Sequence, residues 1–294
     1  MKDFQLRNDT KLLFRNDPVS DLTRLVKGKK VLFVYGGGSV KKNGCYEDIC
    51  NAVKQSGVSL YEAGNSSRER VDIQRGIQMV RKHQIDLVIG AGGASIMDCA
   101  KLIALGSCHE DFWEYVKGRK NPYGLKKLPL VLMPTYPSSG SEYGPGAVAA
   151  DAGTNDFGTA YGIAADYAIL APKYSLSLSR EMTAYTALVT LVQLSASTLG
   201  DKNPVSYDCG ISIIRNVLKA AKQLKECLFI MKQIFRPLSR MPLDMKEILR
   251  NLQKRLQHYF LNLVLICTLM EKSMKRPLPE FPLIPCYRRK KSRI

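Results

Sequence analysis

Short apolar runs alternate with amphipathic stretches over roughly the first 170 residues of the chain. The continuous apolar runs are typical of buried strands and lie at Lys30–Tyr35, Val58–Ala63, Asp86–Ile89 and Leu128–Met133. The stretches between them have helical spacing and lie at Tyr46–Ser56, at Arg70–His83 and from Ser95 onward. Strands that alternate with helices in this way form a parallel sheet. The pattern therefore predicts an α/β fold.

Two of the predicted helices have an apolar side that can be assigned from the sequence. Near the start of the chain, Leu22 and Leu25 follow the capping-like pair Ser20-Asp21, which indicates a short helix ahead of the first strand. In the helix over Arg70–His83, we expect Val71, Ile77 and Val80 to lie on one side.

The character of the chain changes near Pro172. Before it, short β-like runs at Ala147–Ala150 and Tyr167–Leu170 are expected to finish the sheet as a hairpin extension. After it, helical patterns cover Arg180–Leu199 and Tyr207–Lys225. The change from α/β to all-α predicts a domain boundary near Pro172.

Two of the predicted strands end in glycine-rich turns. The first strand runs into Gly36–Ser39, and the third runs into Gly90–Gly93 just before a helix begins. Glycines allow the backbone to approach an anion closely, and the first amides of a helix present unpaired donors to it. Either turn alone could be no more than a tight connection. Because carboxyl ends of parallel strands share one edge, two such turns favour a nucleotide pyrophosphate as the ligand.

Composition excludes several other classes of protein. The chain has 294 residues, is 45% hydrophobic, and contains no apolar run of the roughly 18 residues that a membrane helix needs. The residues after Met1 lack the apolar core of a signal peptide, so we expect a cytoplasmic protein without a membrane partner. Eight cysteines without a C-x-x-C pair are typical of reduced thiols, and three scattered histidines indicate no metal site.

The net charge of +18 is concentrated at the end of the chain. Lys225–Ile294 holds 16 Lys and Arg residues against 5 Asp and Glu residues. Such a segment raises nucleic acid or an acidic membrane surface as partners to consider.

The motifs are more specific together than singly. Gly36–Ser39 is followed by Gly92–Lys101 and then by the hydroxyl-rich loop Pro134–Glu142. In this order they closely resemble the iron-containing alcohol dehydrogenases, and among them the NADPH-linked butanol dehydrogenase and aldehyde reductase branch. The resemblance can be traced from about Thr10 to Lys225.

The resemblance implies a dehydroquinate synthase-like architecture. It implies an N-terminal Rossmann-like nucleotide-binding domain with a parallel sheet over residues 1–172. Residues 173–226 would begin an all-α, metal-binding C-terminal domain, which we expect to be incomplete, and residues 227–294 would form a basic tail outside the resemblance.

The family motifs also imply a cofactor site. The positions carried over are Gly37, Gly38, Ser39, Lys42, Gly92, Gly93, Ser95, Asp98, Thr135, Ser139 and Ser141. The first turn, with Lys42, would hold the adenosine ribose and its 2′-phosphate, and the second turn would wrap the pyrophosphate. Asp98 would bond the nicotinamide ribose, and the third loop would line the adenine and phosphate side. The expected cofactor is NADP (or NAD), because Lys42 favours the extra phosphate.

Two of these assignments have structural alternatives. Asp98 can instead be an acid near a helix start that interacts with the helix dipole, and Lys42 can be a solvated surface lysine.

The family's metal ligands are not found where the resemblance places them. The family uses a divalent metal, iron or zinc, bound by an Asp and a His four residues apart after a Thr-Ala motif and by two later histidines. Aligning Thr183-Ala184 with that motif puts Val189 and Gln193 at the first two positions. Valine has no donor atom, and an amide is a poorer ligand for these metals than imidazole. We therefore assign neither a metal ligand nor a catalytic residue.

The chain shows three smaller departures from the family pattern, of which the loss of a lysine weakens the phosphate site. The third glycine of the second turn is Ala94, and the lysine that the family places before its last sheet strand is absent around Thr159-Ala160. The family's Asp-Pro is Ala171-Pro172 here.

The segment after Lys225 has no family resemblance. Six prolines interrupt its short apolar runs. Its one histidine, His258, lies among Leu256, Tyr259 and Phe260, which favours a structural role for it. We favour an out-of-frame translation of the helical domain as its origin. The alternative, a basic extension that binds nucleic acid, lacks the alternation of aromatic and basic residues typical of such segments.

Two functions from different classes remain open at this stage. The first is an NAD(P)H-dependent alcohol dehydrogenase or aldehyde reductase that acts on small primary alcohols and their aldehydes as a homodimer. The second is a degenerate, catalytically inactive nucleotide-binding remnant, which the absence of the metal ligands favours. A glycerol dehydrogenase or dehydroquinate synthase agrees less well with the Gly36–Ser39 turn and its lysines.

Overall fold

The structure is a computed structural model that describes residues 8–137, 139–200 and 204–221. Its strands are β1 (Lys11–Phe14), β2 (Val31–Tyr35), β3 (Leu60–Ala63), β4 (Leu87–Gly92), β5 (Leu130–Pro134), β6 (Gly146–Asp151), β7 (Asp156–Tyr161) and β8 (Tyr167–Leu170). Its helices are α1 (Val19–Val26), α2 (Ser39–Lys42), α3 (Cys45–Ser56), α4 (Arg70–His83), α5 (Ala94–Gly106), α6 (Phe112–Val116), α7 (Arg180–Gly200) and α8 (Pro204–Ala221), and a 3-10 turn covers Pro172–Ser175.

Six strands form one parallel sheet in the order β1-β8-β5-β4-β2-β3. Strands β2, β4 and β5 are buried along their whole length, which explains why each is a continuous apolar run. Alternate residues of each strand belong to two separate cores, one on either face. Leu32 and Val88 lie in one of them, and Phe33 and Ile89 lie in the other. The predicted α/β fold is confirmed.

Strands β6, β7 and β8 are arranged differently from the prediction. Tyr167–Leu170 is a parallel strand inside the main sheet, between β5 and β1. Residues Ala147–Ala150 belong to β6, which forms a separate antiparallel hairpin with β7 and, at Ala150, one isolated parallel bridge to Glu69. The expected hairpin extension of the sheet is therefore wrong. The sequence pattern could not show that β8 pairs with β1, whose four residues lie more than 150 positions earlier.

One assignment of helix faces was also wrong. Val71 lies in the first turn of α4 and is 69% exposed, whereas Ile77 and Val80 are buried as predicted. The buried face continues from Ile77 through Gly76 and Ile73, which places Val71 on the opposite side.

The described residues divide into two compact units. Residues 8–137, 139–193 and 214–221 belong to the first, and residues 194–200 and 204–213 belong to the second. The predicted boundary near Pro172 remains a prediction, and the basic tail after residue 226 lies outside the described residues. No helix in the described ranges combines the length and apolar character that crossing a membrane requires.

A buried tyrosine anchors the segment that follows β8 in the first unit. Tyr174, in the 3-10 turn, is completely buried, and its hydroxyl donates a hydrogen bond of 2.7 Å to Asp48 on α3. Lys173 pairs with the same carboxylate at 2.6 Å. The side-chain amide of Asn43 donates to the backbone carbonyl of Tyr174 at 3.1 Å. The chain that leaves β8 is thereby held to the α2–α3 connection.

Helix α5 packs on β4 at a distance that only a glycine allows. A methyl group added to Gly90 would lie 2.5 Å from Cβ of Ala100 and 3.0 Å from Cδ2 of Leu132. Real Cβ contacts are longer than this, and a helix methyl group cannot rotate out of the way. Gly90 therefore sets how closely α5 approaches the sheet.

We expect Gly90→Ala to lower the free energy of unfolding by about 1–3 kcal/mol through overpacking. Urea denaturation followed by circular dichroism measures this change. Gly37→Ala is the control, because no atom lies within 4 Å of the added methyl group there. Equal stability of the two variants would contradict the close approach of α5.

Candidate functional site

The order of the strands creates a crevice between β2 and β4. The chain passes from β2 outward to β3 and then returns to place β4 on the other side of β2. Tyr35, the last residue of β2, pairs with Ala91 near the end of β4. In open α/β sheets, ligands bind beyond the carboxyl ends of the strands at such a reversal. Both glycine turns lie at this reversal.

The second glycine turn leads directly into α5. Gly92 has a φ of 156°, and a methyl group there would lie 2.8 Å from Cγ1 of Ile96. Gly93 precedes the helix, has no side chain that could cap it, and accepts hydrogen bonds from the amides of Ile96 and Met97. Ser95 is half-buried in the first turn of the helix. The helix start thus presents backbone amides and a hydroxyl at the crevice.

The first glycine turn lies beside the second. A methyl group on Gly36 would be 3.3 Å from Cδ1 of Ile96, so the first glycine turn lies close to the first turn of α5. Gly38 has a φ of 130°, which favours glycine, and the exposed Ser39 begins the short helix α2. Lys42 is exposed at the end of α2, and no described residue forms a hydrogen bond or ion pair with its ammonium. The residues predicted to hold the ribose side are therefore close to those predicted for the pyrophosphate.

A cluster that the sequence analysis missed lies next to the first turn. The hydroxyls of Tyr35 and Tyr46 donate hydrogen bonds of 2.6 and 2.9 Å to Glu62. The ammonium of Lys41 lies 5.6 and 5.0 Å from the centroids of these two rings. Burial, with the hydrogen bond to Glu62, raises the pKa of Tyr35 to about 12. The tyrosines therefore remain neutral donors, and Lys41 is held on this side of the turn.

The third loop follows β5, the strand on the other side of β4. The amide of the buried Thr135 donates a hydrogen bond of 3.0 Å to the carbonyl of Gly92. Further along, the exposed Ser139 accepts a hydrogen bond of 3.1 Å from the amide of Ser141, which is itself buried. The structure thus brings the three predicted segments to one edge of the sheet.

Asp98 and Ser141 form a buried network with Lys101. Ser141 donates a hydrogen bond of 2.6 Å to Oδ1 of Asp98 and accepts one of 2.9 Å from Nζ of Lys101. The other carboxylate oxygen, Oδ2, accepts a hydrogen bond of 3.1 Å from the amide of Val148 on β6. Lys101 also donates to the carbonyls of Gly144 and Gly146, both at 2.7 Å. Asp98 and Lys101 are three residues apart and therefore lie on one face of α5.

Burial shifts the pKa values of both charged groups of this network, Asp98 and Lys101. Desolvation raises the pKa of Asp98, although the hydrogen bonds from Ser141 and Val148 and the charge of Lys101 oppose the shift. Desolvation lowers the pKa of Lys101 to about 8, and the negative charge of Asp98 opposes this shift. Lys101 is completely buried and remains mostly an ammonium at neutral pH. One signal of this network is visible in the sequence, because Asp98 and Lys101 are the only charged residues of the largely apolar α5.

The described residues do not fit the divalent metal that the resemblance implies. Val189 and Gln193 are one helical turn apart on α7, and Val189 is 38% exposed. Within the described ranges, no three His, Cys, Asp or Glu side chains converge on a common point. Ala160, near the position expected for a phosphate-binding lysine, is a buried residue of β7. No step of the chemistry can be derived through a metal from these residues.

Comparisons with known proteins agree with this arrangement, which is typical of dinucleotide-binding α/β proteins. A family model described as iron-containing alcohol dehydrogenase matches residues 9–172. The probable NADH-dependent butanol dehydrogenase 2 of Bacillus subtilis is 35% identical over 161 residues, which are 53% of this chain and 41% of that protein. The NADPH-dependent aldehyde reductase YqhD of Escherichia coli is 28% identical over 186 residues, 60% of this chain and 47% of that protein.

A solved structure agrees as well. The NADH-dependent butanol dehydrogenase A of Thermotoga maritima superposes with a TM-score of 0.69 at 26% identity, covering 76% of this chain and 58% of that one. Because the family model matches more than half of the chain, the chain belongs to the iron-containing alcohol dehydrogenase family. The resemblance predicted from the three motifs is confirmed. The chain spans less than half the length of the two curated relatives described above.

The lowered pKa of Lys101 predicts how stability changes with pH. Between about pH 8 and the ordinary lysine value near 10.4, the unfolded chain binds a proton at Lys101 that the folded chain has lost. The contribution of Lys101 to the free energy of unfolding therefore rises with pH across this window, by up to about 3 kcal/mol. Below the window this contribution is constant.

Urea denaturation of the wild type and of Lys101→Met at several pH values between about 7 and 10 measures this effect, because the variant retains every other titrating group. We expect the wild type to gain stability relative to the variant as the pH rises. A difference in stability that does not change with pH would contradict the prediction.

Proposed function

We propose that this chain binds NADP(H), or NAD(H), at the carboxyl ends of β2, β4 and β5. The observation that supports this most is the meeting of two glycine turns and a hydroxyl-rich loop at the point where the strand order reverses. In this proposal the amides of Gly92, Gly93 and Ser95 hold the pyrophosphate at the start of α5. Thr135 and Ser139 line the adenine and phosphate side.

The ribose end of the cofactor is proposed to lie at the first turn. Gly37 and Gly38 would allow the ribose to approach the backbone, and Ser39 would donate to the 2′ position. The ammonium of Lys42, for which the described ranges contain no hydrogen-bond or ion-pair partner, favours a 2′-phosphate, and hence NADP, through a charge-assisted hydrogen bond. Lys41, held over Tyr35 and Tyr46, would contribute positive potential to the same place.

The reaction proposed for a complete site is hydride transfer between the nicotinamide and the carbonyl carbon of a small aldehyde, with the primary alcohol as the reduced product. The nicotinamide supplies the hydride chemistry when it is bound. The described residues bind and orient the cofactor, and no acid, base or metal ligand among them is assigned to the substrate oxygen. Family membership and the named activities of the relatives support this proposal.

A second candidate function is cofactor binding without turnover. Val189 and Gln193, at the positions where the family carries metal ligands, specifically favour this degenerate form. The two candidates share the cofactor site and differ only in whether an aldehyde is reduced.

Titration of the full chain with NADPH and with NADH, followed by nicotinamide fluorescence, tests the shared part. We expect NADPH to bind more tightly than NADH. Lys42→Glu should weaken NADPH binding by about tenfold or more while changing NADH binding little, because a charge-assisted hydrogen bond contributes about 1.5–3 kcal/mol. Lys54→Glu is the matched control, since Lys54 is an exposed lysine near the end of α3. A folded chain that binds neither dinucleotide would overturn the proposed function.

The same preparation then separates the two candidates. NADPH oxidation is measured with butyraldehyde, with ferrous iron or zinc supplied in excess. Aldehyde-dependent oxidation would establish the reductase. Binding of NADPH without oxidation would establish the second candidate.

We also propose that the chain forms a homodimer. Among the described strands, β1 is an edge of the main sheet, and it exposes two large apolar side chains, Leu12 at 50% and Phe14 at 62%. An exposed apolar edge strand is prone to pair with another chain. We expect light scattering at micromolar concentration to give a dimer mass, and Leu12→Lys combined with Phe14→Glu to give a monomer. A wild-type monomer mass at that concentration would contradict the proposal.

A further inference from the structure

One buried lysine makes most of the hydrogen bonds between α5 and the loop that leads from β5 into the hairpin. Nζ of Lys101 binds three acceptors of this loop: the hydroxyl of Ser141 and the carbonyls of Gly144 and Gly146. The term hydroxyl loop is used below for residues 139–146. This segment overlaps the end of the hydroxyl-rich stretch Pro134–Glu142 and ends at Gly146, the first residue of β6. An ammonium has three donors, so the number of donors equals the number of acceptors.

The network continues from the loop to the hairpin through Asp98. Its Oδ1 accepts from Ser141, and its Oδ2 accepts from the amide of Val148 on β6. Asp98 and Lys101 therefore connect one face of α5 to both ends of the loop segment between Ser141 and Val148. Both side chains are at least nine-tenths buried, so solvent does not replace these partners.

The other contacts of the hydroxyl loop lead away from α5. The amides of Tyr143 and Gly144 donate to the carbonyl of Gly140 and close a turn within the loop. The carbonyl of Pro145 accepts hydrogen bonds of 3.1 and 2.9 Å from the amides of Gly162 and Ile163, and that of Tyr143 accepts one of 3.0 Å from the side chain of Asn8. Gly140 has a φ of 67°, and Ser139 and Gly140 are exposed. The attachment of the loop to α5 thus depends on Lys101 and Asp98.

We propose that Lys101 is a positioning residue, which holds the hydroxyl loop against α5 and thereby sets the place of the loop in the dinucleotide site. Asp98 and Ser141 belong to the same network, because each carboxylate oxygen of Asp98 and the hydroxyl of Ser141 are bonded within the protein. This inference rests on the proposed cofactor site, since its consequence is a change in dinucleotide affinity. It adds a function for Lys101, to which the family motif alone gave no role.

Amide hydrogen exchange of the chain without cofactor tests the attachment itself. In Lys101→Met, we expect exchange at Tyr143, Gly144 and Val148 to become about tenfold faster or more, because the loop opens without its anchor. Exchange in β2 and β4 should stay as in the wild type. Lys82→Met is the matched control, since Lys82 is an exposed lysine on α4. Unchanged exchange in the hydroxyl loop would overturn the proposal.

NADPH titration of the same proteins tests the consequence for the site. We expect Lys101→Met to weaken NADPH binding by at least about tenfold, and Lys82→Met to leave it unchanged. Faster loop exchange with unaltered NADPH affinity would overturn the positioning role. If the wild type binds no dinucleotide, the proposed function fails, and the exchange data still decide whether Lys101 anchors the loop.

A second variant covers the outcome that Lys101→Met does not fold. Ser141→Ala removes one acceptor of Lys101 and the donor to Asp98, and it leaves both carbonyl contacts in place. We expect a smaller increase in loop exchange and a smaller loss of NADPH affinity. Where the double variant folds, the two substitutions should be less than additive, because they disrupt the same network. Unchanged loop exchange in Ser141→Ala, or full additivity of the two, would overturn the proposal.

Discussion

The contact between β4 and α5 is the constraint on which the rest of the first unit depends. At Gly90 the strand comes so near to Ala100 that no side chain fits between them. This close packing fixes the helix start beside the glycine turn, and it places the buried face of α5 under the hairpin. Asp98 and Lys101 can then reach partners on the neighbouring loop and strand. The candidate site is therefore built on a packing distance as well as on its polar residues.

The sequence predicted the central part of the fold well, because buried parallel strands are continuous apolar runs and the helices between them are amphipathic. Strands β2, β4 and β5 and helices α3, α4 and α5 lie within a few residues of their predicted bounds. Strand β1 was not predicted, since it is four residues long and mostly exposed. The separate hairpin of β6 and β7 was not predicted either, because pairing partners depend on contacts distant in sequence that no local pattern encodes.

The candidate site was predictable to the extent that its motifs are contiguous. Glycine turns can be read from the sequence because backbone geometry needs glycine at particular positions, as it does at Gly92. The partners of Asp98 could not be read, since Ser141 and Val148 lie more than 40 residues away on other elements. Glu62 was not predicted either. Its two hydrogen-bond partners, Tyr35 and Tyr46, lie on other elements and meet it only in the folded chain.

The hydrogen bonds of Lys101 differ in how much they demand of the loop sequence. Two of its three acceptors are backbone carbonyls, which every amino acid provides. The exposed side chains of the hydroxyl loop can therefore diversify without releasing the loop from the helix. Mutational drift or selection can alter the wall of the cleft, and with it the preferred ligand, while the scaffold stays in place. Because Lys101 mainly binds backbone atoms, substitutions on the exposed side of the loop can change ligand specificity while the fold is retained.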